Sequence, residues 1–280
     1  MAYLTNANRM LWCYDNHVRP AEVTAVTGTN LTADTNFPLD NLKYDNPQQE
    51  LRVSTTSASN RIITFQFGAA AAASCLGICN HDLMTRGYET ITVEYSSNGS
   101  SWTNVGTGSV TLFAVYGDPN FFVRFDRVAG QTWWRLTLGK ASGTRPAFRI
   151  GMVFVGETFE VTRNPLPGQY IGRKTATTRI VDTMGGARWL APSGTVVHEE
   201  GEISFRRAPL NDFRFVEGKL MQQNNQRIVG IVQPEQLAFQ MPIGQQHFFG
   251  YVTDAIPAAQ DGPDSSSHKT DYTVAIVGAQ

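Results

Sequence analysis

The sequence has little cysteine: three residues in 280, Cys13, Cys75 and Cys79. Three is odd and too few for a disulfide framework, so the pattern predicts no cross-linked scaffold and fits folding in a reducing cytoplasm. Charge is also sparse, at 17% of residues with a net charge of −1. That balance excludes a nucleic-acid binder whose affinity rests on neutralising phosphates. No run of five Lys or Arg occurs, so a polybasic membrane patch is excluded as well. The longest near-apolar run, Phe67 to Cys79, falls well short of the ~20 residues a membrane helix needs. The opening MAYLTNANRMLW lacks the basic-then-apolar layout of a signal peptide. The expectation is a chain with no membrane insertion and no secretion address.

Catalytic motifs are missing too. There is no Gly-x-Ser-x-Gly elbow, no phosphate-cradling Gly-Lys-Ser/Thr loop and no dinucleotide fingerprint. Asp and Glu are scattered, and no pair stands out for glycoside hydrolysis. The reading is therefore not an enzyme, and no cofactor is required.

What is present is the pattern of a mainly β chain. Twenty-five Gly, thirteen Pro and 41% hydrophobic residues suit many strands and turns. Ile91, Val93 and Tyr95 alternate with Thr92, Glu94 and Ser96, the period of a half-buried strand. Asn98-Gly99 then supplies the positive φ angles of a hairpin-type turn. Downstream, Phe121, Val123 and Phe125 point one way, and Trp134, Leu136 and Leu138 repeat the pattern after a break at Ala129-Gly130. Strands are predicted at Val23 to Val26, Leu51 to Thr55, Arg61 to Phe67 and Phe148 to Val155. Pro38 to Pro47 reads as loop. AAAASCLGICNHDL (70–83) reads either as helix, from its Ala run, or as a short buried strand.

These segments resemble the discoidin (coagulation-factor type C) domain. Its Ser-x-Asp-Gly-x-x-Trp turn is similar to Ser96-Ser97-Asn98-Gly99-Ser100-Ser101-Trp102, with Asn for Asp. Its late Arg-bearing strand is similar to Trp134-Arg135-Leu136, and its Asn-Leu-x-Asp-Gly-Asn loop to PLDNLKYDNP (38–47), without the Gly. The resemblance implies a jelly-roll β-sandwich over residues 1–158. It also implies a candidate calcium loop at Asp40, Asn41, Asp45 and Asn46, where hard oxygen ligands would suit that ion. Such Asx-rich loops also cap their own backbone.

Thr162 to Gly168, rich in Pro and Gly, reads as a passage between domains. The second domain, 159–280, is expected to be smaller and β-rich. Its strands are predicted at Tyr170 to Val181, Val196 to Arg206, Arg227 to Val232, Phe248 to Val252 and Asp271 to Val277. One helix is predicted over 209–224: Pro209 suits its first turn, and Leu210, Phe213, Val216 and Leu220 share a face. The polar stretch Ala258 to Thr270 reads as a long loop. This half resembles the tail-tube-like core of phage tail-tip and distal-tail proteins.

Together the resemblances imply a structural subunit of a bacteriophage tail tip or baseplate. It would be a virion protein assembled in the host cytoplasm, forming a ring through its C-terminal half with the N-terminal sandwich on the periphery. Its partners would be itself, the tail tube, the hub and the fibres. The alternative is a carbohydrate-binding module that recognises host-surface glycans.

Among individual residues, Trp133 lies on the outward parity and, with Tyr44, is the candidate glycan or partner contact. Trp102 and Trp134 fall on inward parity and are read as core. Cys75, Cys79, His81 and Asp82 form one cluster without the second ligand pair of a zinc site, and read as buried small side chains. His198-Glu199-Glu200-Gly201-Glu202 lacks the second His of a metalloprotease helix and reads as a strand edge or turn.

Overall fold

The structure is a computed structural model. It describes residues 9–44, 46, 49–106, 108–111, 121–162, 173–182, 188–221, 228–231, 238–239, 247–260 and 269–279. The fold is mainly β, as the composition and alternation imply. It divides into two compact units: Met1–Glu160 with Gln233–Gly244, and Val161–Val232 with Gln245–Gln280.

The first unit contains β1 (Leu11–Tyr14), β2 (Val23–Thr29), β3 (Leu51–Val53), β4 (Arg61–His81), β5 (Thr90–Ser96), β6 (Thr103–Asn104), β7 (Val110–Thr111), β8 (Phe121–Gly139) and β9 (Phe148–Glu160). All pairings are antiparallel. The two long strands, β4 and β8, build both sides of a curled sandwich. The first part of β4 pairs with β2 and β8, and β8 pairs onward with β5. The last part of β4, Cys75 to His81, pairs with β9 instead of β2. Between these parts the register shifts three times, at Gln66/Ala71, Ala71/Ala73 and Ala73/Cys75. Such bulges bend a strand and let it pass from one layer to the next.

The Ala-rich stretch 70–83 is therefore strand up to His81, because neighbours on both edges and burial on both faces override the helical propensity of alanine. Likewise Ala129-Gly130 does not break β8, which runs through it opposite the bulged part of β4. One core fills the sandwich. Ile63, Phe65, Phe67, Ile91, Val93, Phe121, Val123, Phe125, Trp134, Leu136 and Leu138 all belong to it, on the parity expected.

Two turn-region expectations need correction. Gly99 has φ +74°, but Asn98 is not in the left-handed region. Its side chain shapes the turn instead: Asn98 Oδ1 accepts from the amides of Ser100 and Ser101, each at 2.9 Å. Trp102 is half-buried and outside the core, since β6 does not begin until Thr103 and strand parity does not reach back to it. The 38–47 loop contains a 3₁₀ turn, Leu39–Lys43, with Leu42 buried.

The second unit holds β10 (Arg173–Asp182), β11 (Arg188–Pro209), β12 (Ile228–Ile231), β14 (His247–Gln260) and β15 (Lys269–Ala279); β13 (Ala238–Phe239) pairs with β8 in the first unit. Their order is β10-β11-β15-β14-β12, all antiparallel. The predicted helix is shorter than 209–224. It comprises α1 (Leu210–Phe215) and a π-helical turn, Val216–Leu220, while 222–224 lie outside the described residues. Pro209 precedes the first turn as the cap, because it is still paired as the last residue of β11. Phe213, Val216 and Leu220 form the buried face. Asp212 is buried and accepts from the amide and hydroxyl of Thr162, at 2.8 and 2.9 Å.

The expected loop from Ala258 to Thr270 is narrower than its polarity suggested. β14 extends to Gln260 and β15 starts at Lys269, with Gln260 opposite Thr270. The passage 163–168 lies outside the described residues.

Candidate functional site

Alternation sends one set of side chains from β4, β8 and β5 into the core and the other set outward. Register then aligns the outward set in rows. Ile62 faces Thr137, which faces Thr92; the next row brings Arg135 opposite Glu94. These residues floor an open groove of about 580 Å³, walled by Asn30, Ser59, Asn60 and Arg145. Its volume falls in the range of small-ligand clefts, but eight of its nine lining residues are polar.

The floor is held by a bidentate ion pair. Arg135 donates through Nε and Nη2 to Glu94 at 2.7 and 2.8 Å, and Thr137 Oγ1 donates to the same carboxylate at 3.4 Å. The guanidinium lies over the Trp102 ring, 4.1 Å from its centroid. An indole face is a favourable seat for a cation. The wall is held differently. Arg145 gives two bonds to Asn60 Oδ1 and one each to the carbonyls of Ala58, Gly143 and Lys140. Beneath it, Arg61 is 1% exposed and donates to the carbonyls of Asn30, Thr55 and Arg145. Arg61 thus ties three loops together from inside.

The residues singled out from sequence lie elsewhere. Neither Trp133 nor Tyr44 lines the groove. Trp133 is half-buried, with Gly99 of the turn packed against its ring; Tyr44 is 44% exposed. Of the calcium-loop residues, Asp40 pairs with Lys43 at 2.9 Å and the Asn41 amide donates to the Glu50 carbonyl. The Asn46 carbonyl accepts from the amide of Gln49, and Asp45 lies outside the described residues.

Among the described residues no three His, Cys, Asp or Glu gather as a metal-ligand set. Cys13, Cys75 and Cys79 are buried free thiols, and burial pushes Cys75 well above the ordinary thiol range. His81 is buried, which pulls its imidazole down to about 4 against the opposing pull of Asp82. His81 Nδ1 accepts from the amide of Leu83 at 3.3 Å. His198 to Glu202 form strand rather than turn, within β11: His198, Glu199 and Glu200 pair with both β10 and β15, and Gly201 and Glu202 pair with β15.

Of the groove residues, Arg135 belongs to the Trp134-Arg135-Leu136 motif read from sequence, and none was assigned a binding role there. The parity that places Ile91 and Val93 inward places Thr92 and Glu94 outward, and that was the available signal.

No protein-family model and no curated protein matches the chain. Among solved structures it is similar to a pectin-binding carbohydrate-binding module, at 13% identity and TM-score 0.38, over 48% of this chain and 91% of that one. It is also similar to a CBM32 module from Clostridium perfringens in complex with GalNAc-β-1,3-galactose, at 9% identity and TM-score 0.37, over 47% and 94%. A third is the lectin domain of lectinolysin complexed with Lewis b antigen, at 9% identity and TM-score 0.39, over 51% and 96%. None of the three is a phage tail protein, and they lend no support to the expected tail-tip identity.

Proposed function

We propose that the first unit is a carbohydrate-binding module and that the groove over β4, β8 and β5 receives the sugar. The observation that carries this reading is the groove's lining: rows of Thr, Glu and Arg on a rigid sheet, walled by Asn and Ser. A saccharide offers closely spaced hydroxyls that both donate and accept, which such rows match. An apolar ligand would strip water from these groups and offer no hydrogen bonds in return, at a cost. Ile62 supplies an apolar spot for a C–H face. The reading is of binding without catalysis: the groove's lining includes one carboxylate, Glu94, already committed to Arg135, whereas glycoside hydrolysis ordinarily takes two.

The test is a glycan array followed by calorimetry on the full chain. Binding of at least one glycan with Kd below about 1 mM (roughly −4 kcal/mol), lost at least tenfold in a folded Arg135→Ala variant, supports the reading. No retained glycan, or unchanged binding in the variant, overturns it.

The tail-tip role remains a second reading, favoured by one observation. Among the described residues, β10 stands at the end of its sheet, paired along one side with β11. An edge of this kind can pair with a neighbouring subunit. A ring-forming subunit would show a multiple of the 30.9 kDa chain mass in solution; a monomer at all concentrations would remove this reading.

A further inference from the structure

Charge in the groove is lopsided. Glu94 and Arg135 cancel through their bidentate pair. Arg61 and Arg145 have no such counterpart: their guanidiniums donate to carbonyl and amide oxygens, and Arg61 also to the neutral Tyr88 hydroxyl, none of which carries a charge. Among the described residues neither forms an ion pair. The two are adjacent, since Arg61 donates to the Arg145 carbonyl at 3.1 Å. Arg61 is also nine-tenths buried or more, and its Nε is buried with no acceptor. Carbonyl oxygens satisfy N–H groups but do not neutralise a charge, and an uncompensated cation behind a protein wall is screened less than one in water. The wall formed by Asn30, Asn60 and Arg145 is therefore electropositive.

We infer that the sugar this groove prefers is acidic, carrying a carboxylate or a sulfate ester that lies toward the Arg145 wall while its hydroxyls meet the Thr and Glu rows. This rests on the carbohydrate-binding reading above and narrows it to a ligand class. All five N–H groups of Arg145 are already used, so the anion is attracted by the field and not clamped by that side chain. Arg135 keeps Nη1 for direct contact, since its bonds to Glu94 use Nε and Nη2. Field attraction has a signature: it weakens with salt.

The experiment titrates the full chain by calorimetry with three probes: an oligogalacturonide, its methyl ester and a sulfated galactose oligosaccharide. Each is measured at low and at high sodium chloride. One acidic probe is expected to bind at least about tenfold tighter than the ester at low salt, with most of that advantage gone at high salt. Whichever acidic probe binds better decides between carboxylate and sulfate. Arg145→Gln should reduce the preference and Arg145→Lys retain it; the salt series on the unmodified chain carries the test even if these variants fold poorly. Equal or tighter binding of the ester, or of neutral sugars alone, overturns the acidic preference and leaves the carbohydrate-binding reading standing. Absence of binding to any sugar, neutral or acidic, overturns both.

Discussion

Gly99 sits directly against Trp133: a β-carbon at position 99 would stand 2.9 Å from Trp133 Cε2. The same residue has φ +74°, so two independent constraints select glycine there. The turn between β5 and β6 is thus a cover over an indole as well as a reversal of the chain.

Gly99→Ala is accordingly expected to cost about 2–3 kcal/mol, combining backbone strain with the clash. Gly108→Ala provides the control, because Gly108 has φ +77° but nothing within 4 Å. Urea midpoints of the two variants separate the terms. Equal losses would show that Trp133 yields freely and that its packing under the turn is loose.

Trp102 and Arg135 form the second testable pair. Because Trp102 is half-buried, Trp102→Ala is expected to cost about 1–2 kcal/mol, below the 3–5 typical of truncating a buried tryptophan. A double-mutant cycle with Arg135→Ala should show coupling of about 0.5–1 kcal/mol. Strictly additive losses would mean the stacked geometry contributes nothing.

Burial of His81 makes stability depend on pH. Its folded value near 4 lies below the ordinary 6.5, so the folded protein holds it neutral while the unfolded chain takes up the proton first. Its contribution is complete above pH 6.5 and is lost as pH falls from there to 4, by about 3 kcal/mol. Chemical denaturation at pH 7 and pH 4 should show this loss in the unmodified chain and a smaller one in His81→Asn. Parallel losses in both proteins would rule out His81 as the source.

Arg61 is the most consequential single side chain in the groove's construction. Arg61→Met leaves the carbonyls of Asn30, Thr55 and Arg145 without their shared donor, and should cost roughly 3 kcal/mol or more. It should also raise the protease sensitivity of the 56–60 and 140–146 loops. A stable variant with unchanged loop protection would show that these loops hold their places without it.

Much of the fold was legible from alternation, which is a local property: a strand half exposed shows period two wherever it lies. Hence the inward faces of β5 and β8, the Gly99 turn and the buried face of α1 could be read from residues alone. The bend in β4 could not. An Ala-rich run is compatible with helix or strand, and only its edge partners in β8 and β9 select strand. Trp102 was misplaced because parity counts only inside a strand, and it lies just before one. The groove was least legible of all. Arg61 reaches Asn30 across 31 positions and Arg145 across 84, and Glu94 meets Arg135 across 41. Sequence by itself determined which side chains face outward on each strand. Which of them become neighbours was decided by the tertiary structure, because cross-strand register depends on how distant segments pack around a shared core, and no local pattern encodes that.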